Sequence, residues 1–147
     1  MSDLFEGAIT IFYRDNGGEN EFLVVENSSS GNITFVGGAK EGFDESLVEV
    51  ARRENEEELG IDPDEYELVE TDVFHKFVFS PHKKNRVGNE GRYQVFVSDL
   101  SDADFEITPT DELKNVWWMS EEEVFDNLTF DDLKDVFERV LDEGVIA

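Results

Sequence analysis

The run Gly37-Gly38-Ala39-Lys40-Glu41-Gly42-Phe43-Asp44-Glu45, leading into Arg53-Glu54-Asn55-Glu56-Glu57-Glu58-Leu59-Gly60-Ile61, constrains this chain more than any other stretch. A glycine-rich loop lets backbone approach a phosphate or a metal closely, because glycine has no side chain in the way. The residues after it read as a helix of about four turns. On a helix, residues three and four apart share a face. Glu54, Glu57 and Glu58 therefore project from one stripe, with Arg53 one turn before Glu57. Carboxylates held side by side repel one another unless something cationic stands among them. Donor sets made only of oxygen suit hard divalent cations such as magnesium or manganese, which commonly bind substrate phosphates as well.

These residues resemble the signature of the Nudix hydrolases: a glycine, five residues, Glu, seven residues, then Arg-Glu-apolar-x-Glu-Glu-x-Gly-apolar. Glu45, Arg53, Glu54, Glu57, Glu58, Gly60 and Ile61 match it in register, seven of nine defined positions over residues 39–61. Two positions depart. Ala39 stands where the first glycine is expected, although Gly37, Gly38 and Gly42 keep the loop glycine-rich, and Asn55 occupies a normally apolar place. Acidic runs are ordinarily solvated faces, and Glu56 is read in that way. Gly60 and Ile61 also have a plain structural use, the glycine ending the helix in a left-handed conformation and the isoleucine packing back.

The resemblance implies an α/β protein with the Nudix α/β/α sandwich around a mixed sheet, in one domain spanning 1–147. It implies metal-dependent attack of water on phosphorus in a nucleoside diphosphate linked to another moiety. Glu54, Glu57 and Glu58 would hold Mg2+ or Mn2+, helped by a main-chain carbonyl of Gly38 or Ala39. Arg53 would orient the carboxylates, and Glu54 or Glu57 would be the base. An additional carboxylate often comes from the loop before a late strand; of Asp111 and Glu112, Glu112 is the better candidate. The pattern of the chain's end looks most like dinucleoside-polyphosphate and nucleoside-triphosphate hydrolases. Two alternatives stay open: an ADP-ribose or nucleotide-sugar pyrophosphatase, and a Nudix-fold module that senses a nucleotide without cleaving it. Isoprenoid diphosphate isomerisation is weaker, since that relative uses a catalytic cysteine and this chain has none. Many relatives are dimers, so a homodimer is an open expectation.

The remaining chain reads in order. Leu4 to Tyr13 is rich in strand formers, Asp15-Asn16-Gly17-Gly18 is a turn signal, and Glu21 to Glu26 returns, which predicts a hairpin. Ile33 to Val36 is a short strand delivering the glycine loop. Asp44 is a natural N-cap. Leu47, Val48, Ala51 and Leu59 then mark the buried stripe, and Asn55 falls on it, so its amide is expected to find polar partners. Tyr66 to Ser80 and Tyr93 to Val97 read as extended. The segment between them is a basic island. With Lys76, it holds five of the twelve lysines and arginines, which makes Arg92, Lys76 and Lys84 the candidates for substrate phosphates. His75 lacks a spacing partner and is left out of the mechanism. Val116 to Met119 is a late strand in which Trp117 and Trp118 face opposite ways. Ser120 and Glu123 form a capping box, and Asp131 to Asp142 is an amphipathic helix after Leu128-Thr129-Phe130.

Thirty-seven acidic against twelve basic residues give a net charge of −25. Such a surface repels nucleic-acid polymers and anionic membranes. It also resembles proteins of salt-loving organisms, in which molar salt screens the self-repulsion. With no cysteine, no long apolar run and no signal-peptide pattern at Met1-Ser2-Asp3-Leu4-Phe5-Glu6, a cytoplasmic location is expected.

Overall fold

The computed structural model describes residues 4–40, 46–78, 90–103, 107–144 and 146. Strand β1 (Leu4–Asn16) forms the centre. It turns at Gly17 and Gly18 into β2 (Glu19–Asn27), and both glycines have positive φ (67° and 94°). A two-residue turn of this kind matches the right-handed twist of the flanking strands, and glycine adopts it without a Cβ clash. The expected strand at 33–36 is two strands, β3 (Ile33–Thr34) and β4 (Val36–Ala39). The break follows from their partners: β3 pairs with β2, whereas β4 crosses to pair with β1. After helix α1 (Leu47–Leu59) and a 3-10 turn (Pro63–Glu65) come β5 (Val69–Val78), β6 (Glu90–Asp99) and β7 (Leu113–Ser120). Helices α2 (Glu121–Asn127) and α3 (Asp131–Asp142) close the described order.

The sheet runs β3-β2-β1-β6-β5, with β4 also paired to β1 and β7 to β2. The β1–β6 pairing is parallel and the others are antiparallel, so the sheet is mixed. Alternation along the strands divides the core. Ile9, Ile11, Phe22, Val24, Val95 and Val97 face Val124, Leu133, Val136, Phe137 and Val140 of α2 and α3. Ala8 and Phe96 face Val50 and Ala51 of α1, while Phe12, Leu23 and Val25 meet Leu59 and Ile61 at its end. Strands covered on both faces lose the polar alternation of a surface strand, which is why β1 and β2 read as continuous apolar runs.

Helix α1 begins at Ser46, whose hydroxyl accepts from the Glu49 amide, and not at the expected Asp44, which lies outside the described residues. The run contains two capping residues two positions apart, and the backbone uses the later one. Asn55 is fully buried on the predicted stripe. Its Nδ2 donates to Thr10 Oγ1 (3.2 Å) and to the Tyr66 hydroxyl (3.0 Å), so its polar partners come from β1 and the segment after the helix. At the other end Gly60 has φ 67° and donates to Glu56 O. The Ser120–Glu123 capping box is formed in both directions. Among the described residues no helix is long and apolar enough to cross a membrane.

Candidate active site

Two elements build the site: β4, carrying Gly37, Gly38 and Ala39, and α1, which packs beside it on the sheet. Their approach depends on Gly38. A Cβ placed there would run into the carboxyl group of Glu54. The missing side chain therefore makes the room in which Glu54 sits. Gly38 does not have a positive φ, so alanine meets no backbone strain there, only that carboxyl group. Gly38→Ala is accordingly expected to leave the fold intact and to displace Glu54. A shift of this kind lowers kcat/KM on the order of 10²-fold, and unchanged turnover in a folded variant would exclude a role for this close approach.

Arg53 ties the two elements together. Its Nη2 donates to Ala39 O (2.9 Å), while Nη1 donates to Glu54 Oε1 (3.0 Å) and Glu57 Oε2 (3.4 Å). One guanidinium thus spans β4 and two of the three signature carboxylates. Glu58 is the most enclosed of them, 8% exposed. It accepts a hydrogen bond from the Gly37 backbone, but its Oε2 is buried without a hydrogen-bond partner. Burial pushes the Glu58 carboxyl up to about 8, with Glu54 and Glu112 adding repulsion. Burial likewise raises Glu54 to about 7, against the pull of Arg53. Glu112 is therefore close enough to act on both, from the loop preceding β7.

Hydrogen bonds and close packing bring together Gly38, Ala39, Arg53, Glu54, Glu57 and Glu58, and Glu112 acts on Glu54 and Glu58 only as a lesser source of repulsion. Their donors are all oxygen, and one buried carboxylate oxygen lacks a partner, which fits a hard divalent cation. Among the described residues no three ligating side chains already converge into a cage, and Arg53 engages both Glu54 and Glu57. Arg92 and Lys76 are register partners on neighbouring strands β6 and β5, and Arg92 lies beside Glu6 of β1. The Arg92 guanidinium stands 4.8 Å above the Phe74 ring, and its Nε is buried without a hydrogen-bond partner. Lys84 and Glu45 lie outside the described residues. His75 bonds Asp132 at the start of α3 (2.8 Å), joining β5 to that helix.

Sequence reasoning missed the loop at 107–112. Thr108 N donates to Leu59 O (2.8 Å) and Thr110 N to Glu58 O (3.0 Å), so this loop is fastened to the C-terminal end of α1. Only the position of Glu112 before a late strand hinted at it. Trp117 and Trp118 do face opposite clusters, and both are partly buried.

The NUDIX domain family model matches residues 4–140. The chain is similar in structure to a Listeria monocytogenes protein assigned to the NUDIX hydrolases, with 22% identity, TM-score 0.77 and 96% of this chain and 97% of that one covered. It is similar to the MutT protein of Methanosarcina mazei, with 23% identity, TM-score 0.72 and coverage of 99% and 98%. It is also similar to an Ap4A hydrolase of Caenorhabditis elegans, with 19% identity, TM-score 0.73 and coverage of 95% and 98%. No curated protein matches the chain. The described sheet and helices form the Nudix α/β/α sandwich, and with a family match along most of its length the chain belongs to the NUDIX domain family.

Proposed function

We propose that this protein cleaves a phosphoanhydride bond in a dinucleoside polyphosphate or a nucleoside triphosphate, with magnesium or manganese bound. The observation that supports it is the meeting of Glu54, Glu57 and Glu58 with Arg53 and the Gly37–Ala39 backbone at one place. These carboxylates would hold the cation, with Glu112 and the carbonyl of Gly38 or Ala39 as further donors. When bound, the cation neutralises the diphosphate and offsets the repulsion of an anionic substrate by a −25 chain.

The chain's own residues then have separate tasks. Glu54 receives a proton from the attacking water as the new oxygen–phosphorus bond forms and the bridging phosphorus–oxygen bond breaks. Glu57 is the alternative base. Arg53 keeps both carboxylates in place. Arg92 and Lys76, with Lys84, supply positive charge for the substrate phosphates, as guanidinium and ammonium groups do well. Ala39 and Asn55, the two departures from the signature, are the residues that would favour the sensing alternative. Asn55 points into the core beneath α1, and the Ala39 carbonyl is engaged by Arg53, so neither departure removes a group from the site.

The test is product analysis over a nucleotide panel with magnesium or manganese, at low and at molar salt, with Glu57→Gln run in parallel. Metal-dependent cleavage of one substrate, lost in the variant, supports the hydrolase and identifies the leaving group. Tight nucleotide binding without turnover under every condition would replace it with the sensor.

A further inference from the structure

Asn55 stands where the signature has an apolar side chain, and it is fully buried. Its amide nitrogen has two partners, but its Oδ1 is buried with no hydrogen-bond partner. A buried polar group left partly unpaired costs stability. A leucine of similar volume would avoid that cost, so stability does not account for the amide. What an amide has and a leucine lacks is direction. Apolar packing holds surfaces together without a preferred angle, whereas a hydrogen bond weakens steeply off its line.

Three elements meet at this amide. Its Nδ2 donates to Thr10 Oγ1 of β1 and to the hydroxyl of Tyr66, in the segment after the 3-10 turn. Tyr66 is itself set by an edge-on contact with Phe12 of β1, the ring centroids 5.5 Å apart. Thr10 lies in the stretch of β1 that carries β4: Ala8, Ile9 and Thr10 are the register partners of Gly38, Gly37 and Val36. The strand that fixes the Asn55 amide therefore also fixes the glycines of the site. On the helix, Glu54 is the neighbour of Asn55, and Glu58 lies three residues on along the same face. Glu54 fits the room left by Gly38, and Glu58 accepts from the Gly37 backbone. Rotating α1 by about 10° would move a group roughly 6 Å from its axis by about 1 Å. Val50, Ala51 and Leu59 hold the helix to the sheet but, being apolar, do not set that angle. Arg53 ties α1 to Ala39 from a partly exposed position.

We infer that Asn55 is a positioning residue: its amide sets the rotation of α1 against β1, and thereby where the carboxyls of Glu54 and Glu58 stand. The consequence for a bound cation rests on the proposed function; the placement of the carboxyls does not. Two variants test it, Asn55→Leu alone and Asn55→Leu with Thr10→Val and Tyr66→Phe. The triple change makes the whole network apolar, and replacing all partners by groups of like shape is close to neutral for folding. Val140→Ala, which opens a cavity in the core against α3, is the control for lost stability. In the metal-free proteins at one pH, NMR follows the Gly37 amide signal, because that N–H is bonded to Glu58. The signal is expected to move in Asn55→Leu and to stay in Val140→Ala. Mn2+, titrated calorimetrically, should bind both Asn55 variants about tenfold or more weakly, as is usual when a group supporting metal ligands is lost. On a nucleotide that the protein cleaves, kcat should fall about tenfold while KM stays within about twofold. An unmoved Gly37 signal in folded Asn55→Leu, or wild-type Mn2+ affinity in either variant, overturns the inference. If Asn55→Leu does not fold, the triple variant decides by the same measurements. If the unaltered protein binds no Mn2+ and cleaves nothing, the proposed function fails, and the Gly37 signal alone decides whether Asn55 places the carboxyls.

Discussion

Glu54→Gln and Glu58→Gln are expected to abolish most turnover and, in the metal-free protein, to raise stability. The two effects have one cause. Both carboxyls are withdrawn from water, and Glu58 has an oxygen with no hydrogen-bond partner. A buried carboxylate without compensation is costly, so the neutral, nearly isosteric amide relieves the fold. The same replacement removes a charge that the reaction needs. Loss of a general base lowers kcat by about 10²–10⁴, and that is the fall expected for Glu54→Gln.

The pH dependence follows from the direction of the shifts. The folded chain keeps a proton on Glu58 up to about 8 and on Glu54 up to about 7, whereas an unfolded carboxyl releases it near 4.5. Between those values the native state binds more protons, so these groups make stability fall as pH rises. Thermal unfolding of the metal-free protein at pH 5 and pH 8, at constant ionic strength, measures this. The gain from Glu58→Gln should be small at pH 5 and on the order of a few kcal/mol at pH 8. A substitution that abolishes turnover yet gains nothing at pH 8 would show that Glu58 is not held in an unfavourable environment.

The second large effect expected is that of salt. We propose that the charge of −25 belongs to a protein suited to molar salt. Like charges spread over a small surface repel within a screening length of about 10 Å at 0.1 M salt and about 3 Å at 1 M. Among the described residues few ion pairs offset this, and that of Lys114 with Glu26 is long, at 4.0 Å. Raising KCl from about 0.05 M to 2 M should therefore increase Tm by roughly 10 °C, equivalent to a few kcal/mol for a chain of this size. An equal ionic strength of sodium chloride should act similarly if screening is the cause. A flat Tm across this range would remove the high-salt proposal and leave the acidity without that explanation.

Much of this architecture was legible before any coordinates. The α1 stripe, the burial of Asn55, the Gly17–Gly18 hairpin and the Ser120–Glu123 box each depend on residues close in sequence, where periodicity and turn chemistry speak directly. What escaped was of two kinds. Some of it turns on choices between equivalent local signals, as at Ser46 and Asp44. The rest is tertiary. Glu58 stands out in the sequence by its place in the signature, but its enclosure comes only from the packing of β4 against α1. Gly38 could be read as flexible, but its use is the space it leaves for a side chain sixteen positions later. The fastening of the 107–110 loop to the end of α1 runs through main-chain bonds that no side-chain pattern announces.

The parallel β1–β6 pair has a consequence for how the molecule assembles. Leu4 lies beside Glu90 and Tyr13 beside Asp99, so the first strand waits for most of the chain before its long neighbour exists. On the ribosome, β1 can form its hairpin with β2 and accept β4 early, since these lie nearby in sequence. One long edge of β1 stays unpaired until β6 emerges, and closing so large a loop is slow. During that interval the nascent sheet presents a bare apolar edge, and the dense negative charge of the same chain would keep neighbouring copies from adding to it.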